Sequence, residues 1–278
     1  MGRTPLVKLE KLSEFYRLNI YGKVEAVNPT GSHKDRESRE VIAEAVNKGF
    51  SGVGCASTGN AAISVSAYAY MAGLGCDIYV SKTISPEKMA LIEMFKPRIH
   101  VVDGGYHEAI DVSNREIEEK RLYNANPGSC EAKLRGNAGI GREIARELFP
   151  TYVVCPTNNG THFAGVWMGL VEVGKRPVMV AATAKNTEIA DSISGFHQLE
   201  GKAFQNALKE SKGIVVDVSD SEIVQALRML YKDGIVAEPS AAASVAAIQH
   251  LNCDRDDVLC CTITGSGMKF PKLIGKIL

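Results

Sequence analysis

Short apolar runs alternate with amphipathic segments along most of the chain. The runs at 19–27, 52–56, 76–80, 99–102, 152–155, 177–182, 214–218 and 258–264 have the length and composition of strands. Between them lie helical patterns at 37–48, 61–72, 86–95, 106–120, 136–148, 162–173, 222–232 and 241–251. Local punctuation supports these bounds. Gly49 and Gly73 stop two helices. Ser85-Pro86 is an N-cap followed by proline at the first helical position. Ser219 with Glu222 makes a capping box. Residues 124–134, with Asn126-Pro127-Gly128-Ser129, read as a loop.

Strand–helix units that repeat every ~20–30 residues predict parallel sheets with helices on both faces. Nine or ten strands, roughly, exceed what one mononucleotide-binding unit needs. Two α/β domains are therefore expected, each a three-layer α/β/α sandwich. No repeat, linker or low-complexity stretch separates them, so the boundary is expected to be a compact crossover near 125–137.

The chain has 278 residues, of which 45% are hydrophobic, with Lys+Arg 32 balanced by Asp+Glu 32. Zero net charge offers no field to attract nucleic acid or an anionic membrane. No apolar run reaches the ~18 residues of a membrane span, and Met1-Gly2-Arg3-Thr4-Pro5 does not resemble a leader. A soluble, cytoplasmic protein is expected. The seven cysteines form no C-x-x-C pair, and most lie in or beside apolar runs, the pattern of buried, reduced thiols. His33, His100, His107, His162, His197 and His250 show no metal-ligand spacing.

In doubly wound sheets ligands bind at the carboxyl ends of strands. Four polar or glycine-rich turns fall there: 28–34, 57–60, 156–161 and 264–267. Three precede helices, whose N–H groups and dipoles would point into one cleft. Lys34 follows the corner Asn28-Pro29-Thr30-Gly31-Ser32-His33 and stands in the first turn of a helix. The positive helix end there favours the free amine that attacks carbonyls. The plainer alternative is a solvated charge run, Lys34-Asp35-Arg36-Glu37, on a surface helix. Thr157-Asn158-Asn159-Gly160-Thr161 before a helix has the donors of an anion cradle, or is a polar turn. No nucleoside-triphosphate loop is present, and Gly52, Gly54 and Gly59 have the wrong spacing for a dinucleotide fingerprint. No Gly-x-Ser-x-Gly elbow appears. A lysine amine, a separate phosphate cradle and turn hydroxyls are the set that pyridoxal phosphate requires.

The motifs resemble a known family. Residues 28–36 look like the cofactor-lysine motif of threonine synthases, and Ser57-Thr58-Gly59-Asn60 like the family's Ser/Thr-Ser-Gly-Asn turn. Glu238-Pro239-Ser240 and Thr264-Gly265-Ser266-Gly267 resemble its C-terminal signatures. Gly2-Arg3-Thr4-Pro5-Leu6 resembles an opening shared with cysteine synthases. The chain is thus similar, over its whole length, to fold-type II pyridoxal-phosphate enzymes of the tryptophan synthase β-like class. The resemblance implies a smaller domain at 31–136, a larger cofactor-binding domain at 1–30 and 137–278, and a cofactor in the interdomain cleft. It also implies roles. Lys34 would be the Schiff-base lysine and the acid/base. Asn60 would bond the cofactor's 3′-oxygen, and Ser57, Thr58, Gly59 and Asn60 would line the substrate site, the first three binding the α-carboxylate. Thr157, Asn158, Asn159, Gly160 and Thr161 would cradle the phosphate, and Thr264 would face the ring nitrogen. A neutral hydroxyl there suits elimination and replacement better than transamination.

Departures from the family pattern bear on the substrate. His33 stands where phenylalanine or valine is usual, and is expected to fill space beside the lysine or, alternatively, to be a titratable neighbour of the imine. Asn158-Asn159 replaces a more usual Gly-Asn or Gly-Thr. Ala138 and Gly139 replace a Lys-Thr pair that would hold the phosphate of O-phosphohomoserine, so Lys133 or Arg135 would have to compensate. The length is nearer that of cysteine synthases. The resemblance therefore implies a homodimeric lyase acting on a small amino acid. One reading makes threonine and phosphate from O-phosphohomoserine and water. Another is β-replacement or β-elimination on O-phosphoserine, O-acetylserine or serine. A third is a catalytically silent relative.

Overall fold

The computed structural model describes residues 2–82, 84–195 and 199–277. His197 lies outside them. The chain forms two compact units, one of Lys34–Gly136 and one of Met1–His33 with Asn137–Leu278.

Strand β1 (Leu6–Lys8), helix α1 (Glu10–Tyr16) and β2 (Asn19–Val24) open the chain, and β1 pairs antiparallel with β2. The sequence pattern misses β1 and α1 because both are short and α1 has no side-chain cap. The run expected at 19–27 breaks after Val24 into a 3-10 turn, Glu25–Val27.

Helix α2 (Lys34–Asn47), β3 (Gly52–Ala56), α3 (Asn60–Ala72), β4 (Gly75–Ser81), α4 (Pro86–Glu93), β5 (Arg98–Val102), α5 (Tyr106–Glu119) and β6 (Tyr123–Asn124) build the Lys34–Gly136 unit. Its strands form a parallel four-stranded sheet in the order β5-β4-β3-β6. Alternate residues face opposite sides. Val53, Cys55, Ile78 and Val80 join one apolar cluster with Val41, Ile42, Ala45, Ala62, Ile63, Val65 and Ile92 of α2, α3 and α4. Gly54 faces the other side, where a Cβ would overlap Ile117 of α5.

Helix α6 (Glu131–Glu147) starts inside the stretch expected to be a loop, and the division between the units falls within it. Gly136, Gly139 and Gly141 lower its intrinsic helix propensity. Two of these glycines permit close approach instead. A Cβ on Gly136 would overlap the Arg36 carbonyl of α2.

Strand β7 (Tyr152–Pro156), α7 (Thr161–Glu172), β8 (Val178–Thr183), α8 (Gly201–Glu210), β9 (Ile214–Asp217), α9 (Asp220–Lys232), α10 (Pro239–Ala246), β10 (Val258–Ile263) and α11 (Pro271–Ile277) complete the other unit. Its six strands run in the order β1-β2-β10-β7-β8-β9, all parallel except β1. Val154, Val180, Ala182, Leu259, Cys261 and Ile263 face a cluster with α1, α9 and α10. Thr262 faces the opposite side, where His162 of α7 bonds it. Burial on both faces explains why β7, β8 and β10 read as continuous apolar runs. Gly141 meets the Val166 carbonyl and Gly169 the Ala138 carbonyl, so α6 and α7 cross backbone to backbone. Among the described residues no helix is long and apolar enough to cross a membrane.

Candidate active site

In the Lys34–Gly136 unit, Lys34 is the first residue of α2. The charge run is not a solvated face: Asp35 is buried completely, and Arg36 and Glu37 nearly so. Ser64 of α3 donates to Asp35 at 2.7 Å, pinning α2 to α3. Lys34 Nζ donates to Glu37 Oε1 at 2.6 Å, and the Lys34 side chain keeps 17% exposure. Lys133 Nζ lies 4.0 Å from the other Glu37 oxygen, with both side chains nearly sealed from solvent. Contact between Gly136 and the first turn of α2 brings Lys133, one helical turn earlier, to this position.

Burial pushes the Cys55 thiol up. Burial opposes charge on Lys133 too, but attraction from Cys55 and Glu37 outweighs it and raises the Lys133 pKa. Since Cys55 stays protonated at neutral pH, Glu37 supplies that attraction there.

Ser57, Thr58 and Gly59 form the turn after β3 and are half-buried, and Asn60 is the first residue of α3 and buried. Ser57 Oγ accepts from the Gly59 N–H at 3.2 Å. Asn126, in the segment expected to be a loop, accepts from the Ala56 N–H at 2.7 Å and holds the end of β3. Arg135, expected among the substrate ligands, sits at an exposed position of α6, paired with Glu44.

In the other unit, the 28–33 corner is stitched to the end of β10. The His33 N–H donates to the Thr264 carbonyl at 2.9 Å, Ser32 bridges Gly265, and Ser266 N–H donates to the Gly31 carbonyl. His33 Nδ1 lies 3.3 Å from the same Thr264 oxygen, and its ring packs 4.6 Å from that of His162. The His33 ring is thus held between the Thr264 carbonyl and His162. His162 reaches Asn137 and Thr262, each at 3.0 Å. The Glu238 carboxylate lies against Gly265, where it would overlap any Cβ.

Thr157 closes β7 by donating to the Cys155 carbonyl, and burial pushes the Cys155 thiol up to about 12. Gly160 caps α7 with φ +90, a backbone conformation that favours glycine. A Cβ there would also crowd Phe204 of α8. The Thr161 N–H donates to Asn159 Oδ1 at 3.1 Å, and the Thr161 hydroxyl to Glu200 at 3.3 Å. Asn158 donates to the Ser192 carbonyl. Ser192, Glu200 and Phe204 tie down this turn, and α8 carries too short an apolar signal to be read from sequence, with only Phe204 and Ala207 buried on it.

A family model described as pyridoxal-phosphate dependent enzyme matches residues 1–265. The chain belongs to this family. Threonine synthase of Methanocaldococcus jannaschii is 30% identical over 97% of this chain and 76% of its own length. Threonine synthase of Halalkalibacterium halodurans is 29% identical over 97% of this chain and 83% of its own. Among solved structures, maize serine racemase superposes with a TM-score of 0.86 at 19% identity, covering 99% of this chain and 92% of that one. Cysteine synthase of Entamoeba histolytica gives 0.80 at 18% identity, covering 100% and 93%. These similarities place the two α/β units in fold-type II.

As a member of this family the protein is a pyridoxal-phosphate dependent enzyme, and its residues fit that cofactor. Lys34 offers an amine with residual exposure. The first turn of α7 leaves N–H groups without intrahelical partners, and one of them already holds a side-chain oxygen, that of Asn159. Glu37, His162, Glu200 and Glu238 escaped sequence reasoning. Of these, Glu37 carried the clearest signal, an i,i+3 spacing from the lysine.

Proposed function

We propose that the protein is a lyase of the threonine synthase type, converting O-phosphohomoserine and water to threonine and phosphate. The observation that carries this reading is the Lys34 amine, partly exposed at the start of α2 in a chain similar to threonine synthases over 97% of its length. Bound pyridoxal phosphate supplies an electron-withdrawing ring that stabilises negative charge at the substrate carbons. Lys34 would bond to its carbonyl carbon, then carry protons between those carbons. Asn60 would orient the ring through its 3′-oxygen. Ser57, Thr58 and Gly59 would hold the substrate α-carboxylate at the N-terminus of α3. Thr157, Asn158, Asn159, Gly160 and Thr161 would hold the cofactor phosphate. Thr264 would offer a neutral hydroxyl to the ring nitrogen, which favours loss of a leaving group over transamination. The same proposal includes a cytoplasmic homodimer acting on a small amino acid, and light scattering of the purified protein reads its oligomeric state.

A second reading is β-replacement or β-elimination on O-phosphoserine, O-acetylserine or serine. It is favoured by one specific arrangement. Arg135 is paired with Glu44, Lys133 lies by Glu37, and Ala138 is sealed in the α6–α7 crossing. The cations that would replace the missing Lys-Thr pair thus face carboxylates already. The deciding experiment supplies O-phosphohomoserine and the three serine compounds side by side. Threonine with equimolar phosphate from O-phosphohomoserine upholds the first reading. Pyruvate, or cysteine when sulfide is added, with no threonine, replaces it with the second.

A further inference from the structure

The contact between Lys34 and Glu37 has a consequence for the chemistry of the amine. A lysine attacks a carbonyl only as the free amine, so an ammonium must first lose a proton. Lys34 Nζ donates to Glu37 Oε1 at 2.6 Å, within the range for direct proton transfer. The carboxylate is fixed from three directions. It is 2% exposed, it projects from the first turn of α2, and Lys133 of α6 stands 4.0 Å from its second oxygen. The titratable groups that couple to it include Lys34 on its own helix, Lys133 on α6 and the Cys55 thiol on β3. Cys130 lies in the same electrostatic cluster.

We propose that Glu37 is a catalytic residue that takes the proton Lys34 Nζ must release, with Lys133 as the positioning residue that holds it. In this step the Nζ–H bond breaks, its electron pair stays on nitrogen, and the proton bonds to Oε1. The same proton returns when Lys34 is displaced by a substrate amine. Lys133 places a positive charge beside the carboxylate and fixes its orientation toward Lys34. This inference rests on the reading of Lys34 as the cofactor lysine.

The test is the rate at which the full chain, stripped of cofactor, regains visible absorbance when mixed with pyridoxal phosphate. Borohydride trapping and peptide mapping then locate the bond. Wild type is expected to label at Lys34, with a rate that stays level from pH 6 to 9. Glu37→Gln is expected to reach the same final absorbance about a hundredfold more slowly at neutral pH. Its rate should rise in proportion to hydroxide, because solvent must then remove the proton. A merely structural role would change melting temperature or final loading and leave the pH profile level. If Glu37→Gln fails to fold, the double variant Glu37→Gln with Lys133→Gln, which removes both charges of the contact, carries the same expectation. Wild-type rate and profile in the folded variant overturn the inference and leave Lys34 as the cofactor lysine. Absence of a borohydride-fixed label at Lys34 in wild type overturns the reading beneath it.

Discussion

Two lysines, Lys23 and Lys34, each place an amine on a glutamate, and they differ in everything around that contact. Lys23 sits in β2 with no exposure. Its Nζ donates to Glu143 and to the Thr4 carbonyl, both at 2.7 Å. Thr4 in turn donates to Glu25, which also accepts from Asn28, so the network closes on itself. Lys34 stands at a helix start, keeps 17% exposure, and has a carboxylate one turn along its own helix. The first arrangement fastens the N-terminal segment to β2 and to the corner before Lys34. The second leaves a nitrogen that can exchange partners. A buried ion pair is therefore not by itself a sign of reactivity. What separates the two is whether the amine can change partner without unfolding its surroundings.

Replacing each lysine sharpens this contrast, and the largest effect is on cofactor bonding. Lys34→Ala is expected to lose all borohydride-fixed label while its melting temperature stays within a few degrees of wild type. Lys23→Met is expected to do the reverse. Removing Lys23 takes the buried amine away from the Glu143 carboxylate, at about 3 kcal/mol by urea titration, with labelling retained. Equal loss of labelling in both variants would erase the distinction.

The scaffold around the two lysines gives smaller, graded effects. A methyl group at Gly169 would overlap the Ala138 carbonyl, so Gly169→Ala should destabilise by about 2 kcal/mol in the same titration. A variant as stable as wild type would show that α6 and α7 can separate freely, contrary to the close crossing.

A third charged cluster serves as a control without a reactive role. Asp77 in β4 accepts from Arg98 and from His100, the latter at 2.7 Å, with Lys120 at 3.5 Å. Burial raises the Asp77 pKa, but the hydrogen bonds from Arg98 and His100 outweigh it and hold the carboxyl below its usual range. A depressed carboxylate contributes stability above its unfolded pKa, and that contribution is lost as pH falls through the folded value. Asp77→Asn should therefore lower stability at neutral pH by about 1–2 kcal/mol, since Arg98 and Lys120 are partly solvated. The gap from wild type should close as pH falls through the folded value, with labelling at Lys34 at neutral pH unchanged. A gap that persists in acid would mean Asp77 contributes through packing and not through charge.

Much of the chain's punctuation was legible locally. Gly73 takes φ 69 at the end of α3, Ser85 caps α4, and Ser219 with Glu222 forms the capping box of α9. Each depends on neighbours a few residues away. Most of α6 was legible as the helical pattern at 136–148, but its first turn was not, because residues 131–134 follow the turn residues Asn126-Pro127-Gly128-Ser129 and read as the end of a loop. Helix α8 was missed because its buried surface is little more than Phe204 and Ala207.

By itself the sequence determined the alternating strand–helix plan, the lysine at a helix start and the polar turns after strands, because hydrophobic period and capping are local properties. Tertiary structure alone decided which charges are partnered. Spacing in sequence sets Glu37 one turn from Lys34 but says nothing of Lys133. The place of Glu37 between Lys34 and Lys133 exists because α6 approaches the first turn of α2 at Gly136. Lys133 is 96 residues from Glu37 in sequence, and no local pattern encodes a contact that only packing creates.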